Sequence, residues 1–516
     1  MMVLANKKKV DKKLVTAIVL VSLGNLLFFF TIWLLSKYDH IYIDQIIFQL
    51  KAPAVGANRT LAGSAVVRVG VFAIVLTGIE IFLYRLFGGY IKKWRENWHR
   101  YAKYCTGKAC DFFRKTALPV GLSTLLVAVT LFVAKLEVVS YISVSSTESD
   151  FIMENYADPA TTKLTFPEKK RNLIYIFLES METTYAEPSA GGNITHNFIP
   201  ELSELAEDNI NFSADSGLGG ALSYSGTTWT AAAMVAQTSG MLIKVPLAGE
   251  TYGGNNAFLP GVSTVGEVLA AEGYKQTLLV GSDADFGGRK TYFLEHGNYN
   301  IVDINSLKAE GRLPDDYRQW WGYEDDKLFD FAKEEVEKLY ESGEPFNFTM
   351  LTADTHFPDG YECEDCEHNW ENQYANVLSC SSKRVYEFIE WIKEQPFYEN
   401  TTIILCGDHL TMDPEFLKDI NKDYTRTVYN CFINSATTPK REKNRLFGTF
   451  DLFPTTLSAM GVVIEGERLG LGTNLFSDVP TLTEKYGYTV LDSELQKKSL
   501  FYNEEILEME SPEIIF

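Results

Sequence analysis

The chain has 516 residues, of which 46% are hydrophobic and 22% charged, and its formal net charge is −21. This length exceeds one ordinary core, and the acidic larger part offers no basic surface, which excludes a nucleic-acid-binding protein. The charge is divided unevenly: residues 1–150 carry 19 Lys and Arg against 9 Asp and Glu, whereas the remainder carries 28 against 59. This division predicts two parts in different surroundings.

The basic part contains three apolar segments long enough to cross a bilayer. Residues 14–36 and 116–134 have no charged side chain, and each meets the span of about 20 residues that a bilayer core requires. Residues 61–84 are interrupted by Arg68, which we expect to snorkel to one end, and by Glu80, which must face other helices, water or the interface. The alternative for this middle segment is a re-entrant or interfacial piece.

Lysine and arginine in the flanks of these segments predict their orientation. Five lysines precede the first segment, and eight Lys or Arg lie between residues 92 and 115, in the loop before the third. Since positive flanks stay in the cytoplasm, three spans place the chain after about residue 140 outside. The first segment is too long for a signal peptide and lacks a small-residue cleavage site, so we expect an anchor. We therefore predict a multi-pass protein of the cell membrane, with a membrane domain at 1–144, a polar linker at 145–170 and an extracytoplasmic domain at 171–516.

The outer domain contains four apolar runs of the kind found in strands that are covered on both faces. These runs are residues 173–178, 274–280, 346–351 and 402–406. Helical stretches at residues 262–272 and 325–340 alternate with them. The alternation predicts an α/β fold with a mostly parallel central sheet.

Acidic or imidazole side chains follow each of these runs. They are Glu179, then Asp283 with Asp285, then Asp354 with His356, and finally Asp408 with His409. Because the carboxyl ends of parallel strands meet at one edge of a sheet, such side chains can converge on one cation. A single acidic residue after a strand is more simply explained as a solvated loop carboxylate. Four such strand ends in one domain favour an enzyme site.

A cluster of hydroxyl side chains, Ser223–Thr230, precedes an alanine-rich helix at residues 231–237 that stops at Gly240. A hydroxyl at a helix start lies beside free backbone N–H groups, where an anionic phosphate binds. Coordination by a divalent cation would lower the pKa of that hydroxyl and make it a nucleophile. The alternative is that one of these hydroxyls only caps the helix.

Three cysteines lie close together in the sequence of the outer domain. Cys363 and Cys366, with His368 after them, have the pattern of half a zinc site, but no second pair completes four ligands. Disulfides persist outside the cytoplasm, so a disulfide that joins Cys380 to Cys363 or to Cys366 is favoured. The sequence does not choose between these two pairings.

Four short motifs follow one another in the outer domain. They are Asn172–Ser180, Gly226–Thr230 with Gly240 after it, Asp354–Pro358 and Gly407–His409. In this order they resemble the membrane phosphoglycerol transferases of the sulfatase-like, alkaline-phosphatase-like superfamily. The chain is most similar to the phosphoglycerol transferases that decorate periplasmic glucans, through Thr449–Thr456 and Leu469–Thr473, and more distantly to the lipoteichoic acid synthases. The resemblance covers about residues 159–478.

The resemblance implies which residues form the site. The family's metal ligands fall on Glu179, Thr227, Asp408 and His409, and its substrate-binding residues fall on Arg289 and His356. Thr227 also matches the family's nucleophile, because its distance from Gly240 is that of the family's threonine from the corresponding glycine. Two carboxylates, a hydroxyl and an imidazole suit Mn²⁺, Mg²⁺ or Zn²⁺, and the resemblance favours Mn²⁺.

The resemblance also implies a reaction, the transfer of glycerol phosphate from phosphatidylglycerol to a glycan of the cell envelope. The group would pass through a covalent intermediate on threonine, and the membrane segments would hold the site near its lipid donor. One position departs from the pattern: Gly287 stands where lipoteichoic acid synthases have a tryptophan. We therefore expect other surfaces, such as Trp320 and Trp321, to hold the acceptor, and isolated groups rather than a polymer to be added.

Two other interpretations stay open. One is a phosphoethanolamine transferase or a sulfatase on the same fold, although the sequence has no Cys-x-Pro-x-Arg or Ser-x-Pro-x-Arg motif for the formylglycine that a sulfatase needs. The other is a catalytically silent protein that binds or senses glycans. Loss of a ligand would indicate a silent protein, and here all four positions are intact.

Overall fold

The computed structural model describes residues 12–39, 41–51, 63–97, 102–245 and 257–507. The chain forms two compact units. One contains Met1–Ile41 and Asn58–Tyr141, and the other contains Tyr42–Ala57 and Ile142–Phe516. The second unit thereby includes a short segment that the sequence analysis placed in the membrane domain.

The secondary structure alternates helices and strands through most of the second unit. The α-helices are α1 (Lys12–Lys37), α2 (Ile43–Lys51), α3 (Phe72–Asn97), α4 (Ala102–Lys135), α5 (Val138–Ser145), α6 (Phe151–Asn155), α7 (Pro200–Asp208), α8 (Thr230–Ser239), α9 (Val265–Ala271), α10 (Arg289–Glu295), α11 (Ile304–Ala309), α12 (Asp325–Glu341), α13 (Gln373–Lys393), α14 (Leu452–Ala459), α15 (Leu482–Tyr486) and α16 (Tyr488–Gln496). The strands are β1 (Leu164–Thr165), β2 (Asn172–Leu178), β3 (Gly220–Ala221), β4 (Lys275–Val280), β5 (Asn300–Val302), β6 (Phe346–Leu351), β7 (Thr401–Gly407), β8 (Val428–Ile433), β9 (Val463–Ile464), β10 (Arg468–Leu469) and β11 (Gly472–Thr473).

Three helical stretches of the described chain are long and apolar enough to cross a membrane. They are Lys12–Lys37, Gly63–Tyr84 and Thr116–Lys135, which coincide with the three predicted segments to within two residues at each end. Between α1 and α3, Asn25 donates from Nδ2 to Oε2 of Glu80 at 2.9 Å and to Oγ1 of Thr77 at 3.0 Å. Glu80 therefore faces another helix, which was one of the surroundings expected for it.

The second unit is built on a seven-stranded sheet in the order β3-β8-β7-β2-β6-β4-β5. The five strands from β7 to β5 are parallel, and β8 and β3 pair antiparallel at one end. Every residue of β2, β6 and β7 is buried, because apolar side chains point to both faces and helices cover them. The predicted α/β fold with a mostly parallel sheet is confirmed.

Residues 145–170 are packed against the second unit, which differs from the linker predicted there. Strand β1 pairs antiparallel with β9, and the amide of Ala157 donates to the carbonyl of Gly470 at 2.8 Å. The segment is polar overall, which led to the prediction of a linker, but the domain buries a few of its apolar side chains, such as Ile152. These contacts leave little free chain between the last membrane helix and the first central strand.

The three clustered cysteines are all free thiols, which corrects the predicted disulfide. The sulfur of Cys363 lies 3.0 Å from that of Cys366 and 3.6 Å from that of Cys380, so it contacts both possible partners. Arg384 of α13 donates from Nη2 to the Cys363 sulfur at 3.3 Å. The thiols therefore join the loop after β6 to α13 as a three-membered cluster rather than as one pair.

Candidate active site

Three predicted ligands meet at the carboxyl edge of the sheet. Glu179 follows β2, and Asp408 with His409 follows β7, the parallel neighbour of β2 in which Gly407 pairs with Leu178. The paired register sets the following residues side by side. Nε2 of His409 lies 3.6 Å from Oε1 of Glu179 and 3.5 Å from Oδ2 of Asp408.

Hydrogen bonds hold these three side chains with their free atoms facing one another. Oδ1 of Asp408 accepts the backbone N–H groups of Ser180 and His409, each at 2.7 Å. Oδ2 of Asp408 is buried and has no hydrogen-bond partner among the described residues. Nδ1 of His409 donates to the carbonyl of Leu410 at 2.9 Å, which leaves the lone pair of Nε2 toward the carboxylates.

The electrostatics of the cluster suit a divalent cation. Burial, and then the nearby Glu179, raises the pKa of Asp408 to about 7. Burial acts to lower the pKa of His409, but Asp408 and Glu179 outweigh it and raise that pKa above its ordinary value. Two buried carboxylates beside an imidazole are a recognised donor set for Mn²⁺, Mg²⁺ or Zn²⁺, and the unpartnered Asp408 oxygen fits this interpretation.

The structure places Thr230, and not Thr227, beside these ligands. Thr227 is fully buried, and its Oγ1 donates to the carbonyl of Tyr224 and accepts the N–H of Tyr224, both at 2.9 Å. Thr230 is the first residue of α8, and its Oγ1 lies 3.4 Å from both Oε2 of Glu179 and Nε2 of His409. In this structure the hydroxyl of Thr227 therefore does not face the ligand cluster, and its role as ligand and nucleophile stays a prediction.

A tight turn explains this difference. Gly226 has φ +81°, a left-handed conformation that reverses the chain and closes the side chain of Thr227 onto its own turn. The residue before the helix is Trp229, and no side chain caps the first turn. The hydroxyl of Thr230 is therefore the one that the helix start presents to the ligand cluster.

Arg289 is held beside the cluster by bonds to its own loop. Nε donates to the carbonyl of Phe286, and Nη2 donates to Oγ of Ser282 and to the carbonyl of Asp283, at 2.9–3.0 Å. Nη1 makes no hydrogen bond to the described part of the chain. Burial lowers the pKa of Arg289 to about 10, although Glu179 acts to raise it, so the side chain remains a cation at neutral pH.

His356 lies in an aromatic environment at the same edge. Its Nδ1 is 2.6 Å from the carbonyl of Phe357, and its ring centroid lies 4.5 Å from that of Trp321 and 6.0 Å from that of Trp320. Burial lowers the pKa of His356 to about 4, so the ring is neutral near pH 7. The tryptophan pair named in the sequence analysis thus stands next to one of the predicted substrate-binding residues.

The remaining strand-end acids do not join the ligand cluster. The backbone carbonyl of Asp283 supports Arg289, Asp285 donates its N–H to Oδ1 of Asp283, and Asp354 donates its N–H to Oδ2 of Asp325. These residues shape their loops.

Gln237 is a positioning residue that the sequence analysis missed. Its Oε1 accepts the hydroxyl of Tyr175 in β2 at 2.8 Å, and its Nε2 donates to the carbonyl of Gly407 at the end of β7 at 2.9 Å. It therefore ties α8, which carries Thr230, to the two strands that carry the ligands. The one sequence feature that could have indicated this role is a polar glutamine within an apolar stretch of helix.

We expect Gln237→Leu to lower the free energy of unfolding of the outer domain by about 2–4 kcal/mol, because it leaves a buried hydroxyl and a buried carbonyl unpaired. Denaturant unfolding followed by tryptophan fluorescence measures this loss. Gln319→Leu, at an exposed position, is the control and should change stability little. Equal stability of the two variants would contradict the role of Gln237.

Comparison with known proteins is consistent with this site. Residues 171–462 match the sequence model of the family named Sulfatase. Phosphoglycerol transferase I of Salmonella choleraesuis (strain SC-B67) is 32% identical over 330 residues, which are 62% of this chain and 41% of that protein. The chain thus spans about two fifths of the length of the curated relatives it matches.

Two solved structures are similar to part of this chain. A protein in the alkaline phosphatase superfamily from Vibrio parahaemolyticus has 22% identity and a TM-score of 0.48, covering 65% of this chain and 79% of its own. The lipoteichoic acid synthase LtaP from Listeria monocytogenes has 16% identity and a TM-score of 0.45, covering 63% of this chain and 80% of its own.

Proposed function

Because the chain belongs to the sulfatase family, we propose that it is a membrane-bound phosphoglycerol transferase, which moves glycerol phosphate from phosphatidylglycerol to a glycan of the cell envelope. The observation that carries the proposal is the hydroxyl of Thr230, which opens α8 and lies 3.4 Å from both Glu179 and His409. A hydroxyl so placed is a nucleophile for a phosphodiester. The 32% identity with phosphoglycerol transferase I supports the choice of the transferred group.

The reaction proceeds in two displacements. Oγ1 of Thr230 bonds to the donor phosphorus while the bond from phosphorus to the diacylglycerol oxygen breaks, and the proton lost by the Thr230 hydroxyl is matched by the one that diacylglycerol gains as it leaves. A hydroxyl of the glycan then bonds to the same phosphorus, the bond from phosphorus to Thr230 breaks, and the proton lost by the glycan hydroxyl is matched by the one that Oγ1 of Thr230 regains. Glu179, Asp408 and His409 would hold a divalent cation, for which we propose Mn²⁺; when bound, it would lower the pKa of the nucleophile and offset negative charge on the phosphoryl oxygens.

The chain's own residues bind and orient the transferred group. Nη1 of Arg289 and the free N–H groups at the start of α8 suit the anionic oxygens. His356 is neutral and donates from Nδ1 to the carbonyl of Phe357, so its Nε2 accepts a proton or a hydrogen bond from a substrate hydroxyl. In this proposal the three apolar helices keep the domain at the membrane, and the positively charged flanks support an extracytoplasmic position for it.

The proposal is tested by incubating the purified protein with labelled phosphatidylglycerol and a panel of envelope glycans. We expect release of diacylglycerol and transfer of label to a glycan. Transfer from phosphatidylethanolamine instead would identify a phosphoethanolamine transferase, and no turnover with bound metal would indicate a silent glycan-binding protein.

Arg289→Lys should lower kcat/KM for the lipid donor by about 100-fold, because the single ammonium of lysine keeps the charge but cannot bond to the carbonyls of Phe286 and Asp283 and also present a group like Nη1 to a phosphate oxygen. Steady-state kinetics of diacylglycerol release measures the loss. Lys290→Arg is the neighbouring control, since Lys290 is half exposed and its one ion pair among the described residues is with Asp285. A loss below about threefold would mean that Arg289 does not contact the phosphate.

We expect single glycerol phosphate groups, and no polymer, on the glycan. Gly287 has φ +67°, and a Cβ there would lie 3.4 Å from that of Ala231 in the first turn of α8, beside Thr230. This position therefore adjoins the nucleophile but offers no side chain on which a polymer end could stack. Product length by mass spectrometry decides the point, and long poly(glycerol phosphate) chains would contradict the expectation.

A further inference from the structure

Helix α2 stands in the chain between two membrane-crossing helices, yet it belongs to the compact unit that contains the active site. Its Phe48 is 1% exposed, and the ring lies 5.2 Å from the ring of Trp229. Trp229 directly precedes Thr230. Helix α2 therefore packs against the chain where the nucleophile helix begins.

Gln45 makes the second contact of α2 with this region. It is 6% exposed, and its Nε2 lies 3.5 Å from the sulfur of Met412, three residues beyond His409. A thioether sulfur is a weak acceptor, so this bond holds the amide loosely. Oε1 of Gln45 is buried and has no hydrogen-bond partner among the described residues. A buried amide oxygen normally costs free energy unless it is paired, which marks Gln45 as a group that awaits a ligand.

Two further polar atoms next to Thr230 share this property. Nε1 of Trp229 and Oγ1 of Thr228 are buried and unpaired within the described chain. Oε1 of Gln45 is an acceptor, Nε1 of Trp229 is a donor, and the hydroxyl of Thr228 can be either. A vicinal diol needs this combination, because each of its hydroxyls both donates and accepts. A phosphate only accepts and an ammonium group only donates, so neither uses the set fully.

Near its C-terminal end, α2 carries an exposed apolar side chain. Leu50 is 81% exposed, an apolar side chain that a lipid surface can cover. The helix thus carries an amide and an aromatic ring on the side of the active site and an unburied leucine at its end. A lipid with a polar headgroup and apolar tails matches both parts.

We propose that α2 forms one wall of the lipid-donor site and that Gln45, together with Trp229, binds the two free hydroxyls of the glycerol headgroup. The inference rests on the proposed function and adds to it the residue that distinguishes a glycerol headgroup from others. The Gln45 amide turns from the Met412 sulfur to accept a headgroup hydroxyl, while the indole N–H of Trp229 donates to the same diol. Chemistry at phosphorus stays with Thr230 and the ligand cluster.

The test is Gln45→Met in the full chain, reconstituted in vesicles that contain phosphatidylglycerol. Methionine keeps the length and packing of the side chain but removes Oε1. We expect kcat/KM for phosphatidylglycerol to fall by about tenfold, the value of one lost hydrogen bond to a neutral group. Hydrolysis of bis(p-nitrophenyl) phosphate, which has no glycerol, should be unchanged. Gln49→Met, an exposed glutamine of the same helix, is the matched control and should leave both rates unchanged.

The outcomes separate this inference from the proposed function. A Gln45→Met protein that cleaves phosphatidylglycerol within about twofold of wild type overturns the inference, and so does an equal loss on both substrates, which indicates damage to the catalytic centre. If the wild type cleaves the soluble diester but not phosphatidylglycerol, the proposed function fails, and the inference fails with it. A tenfold loss confined to phosphatidylglycerol supports both.

Discussion

Thr230→Ala abolishes cleavage of phosphatidylglycerol, with an expected loss of at least about a thousandfold in kcat/KM, because it removes the attacking oxygen. Thr227→Ala retains most of the activity, since the Thr227 hydroxyl bonds only to the backbone of Tyr224. Diacylglycerol release from labelled vesicles measures both variants. The comparison also decides between the residue matched by sequence spacing and the residue placed by the structure.

A trapping experiment gives the same answer without a mutation. Wild-type protein incubated with donor and no acceptor should carry a glycerophosphoryl group on the peptide that contains Thr230, and fragmentation should locate it on that residue. Thr228→Ala is the control, because the Thr228 hydroxyl forms no hydrogen bond to the described ligands, and this variant should still form the adduct. An adduct on Thr227 would refute the assignment made from the structure.

Asp408→Asn should remove bound divalent metal and reduce donor cleavage by at least about a hundredfold. Asparagine keeps an oxygen in place of Oδ1 to accept the N–H groups of Ser180 and His409, and it replaces the unpartnered Oδ2 by an NH₂ group that cannot ligate a cation. The loop should therefore stay folded, so the losses report on the metal.

Elemental analysis of purified protein measures metal content, and the metal found in the wild type tests the preference for Mn²⁺. Asp423→Ala, an exposed aspartate between β7 and β8, is the control and should keep both metal and activity. Full metal occupancy in Asp408→Asn, with normal turnover, would exclude Asp408 as a ligand.

The ligand cluster could be foreseen from the sequence because it depends on strand ends. Apolar runs rich in β-branched and aromatic residues identify the strands, and parallel pairing then brings the following residues together. Glu179, Asp408 and His409 follow two strands that turn out to be neighbours in register, whereas the strand order and loop conformations that leave Asp283 and Asp354 outside the cluster are not visible in the sequence.

The nucleophile depends on details that the sequence does not show. Several hydroxyls stand within eight residues, and the left-handed turn at Gly226 decides which of them is closed into the turn. The helix begins at Thr230, one residue before the predicted alanine stretch, and that residue places its hydroxyl at the open end of the helix. Spacing to Gly240 counts residues along the chain but does not record how the turn is folded.

Local composition does not predict whether a segment is buried when the residues that bury it lie far away in the sequence. The segment 145–170 reads as polar, but its few apolar residues pack against β9 and its neighbours, some 300 residues later. Helix α2 is only nine residues long, and its sequence does not show which part of the chain its buried side contacts. Only the folded chain shows what each of these segments contacts.

The position of α2 has a consequence for how the protein is made. Gln45 meets Met412, which lies 367 residues further along the chain. During synthesis α2 is made long before the strand that precedes Met412 has been translated. The second unit therefore closes on a piece of itself that was made much earlier, and a contact of such sequence separation forms late and slowly. Folding of this unit is in that sense ordered by translation, with α2 among the first parts made and among the last to be engaged.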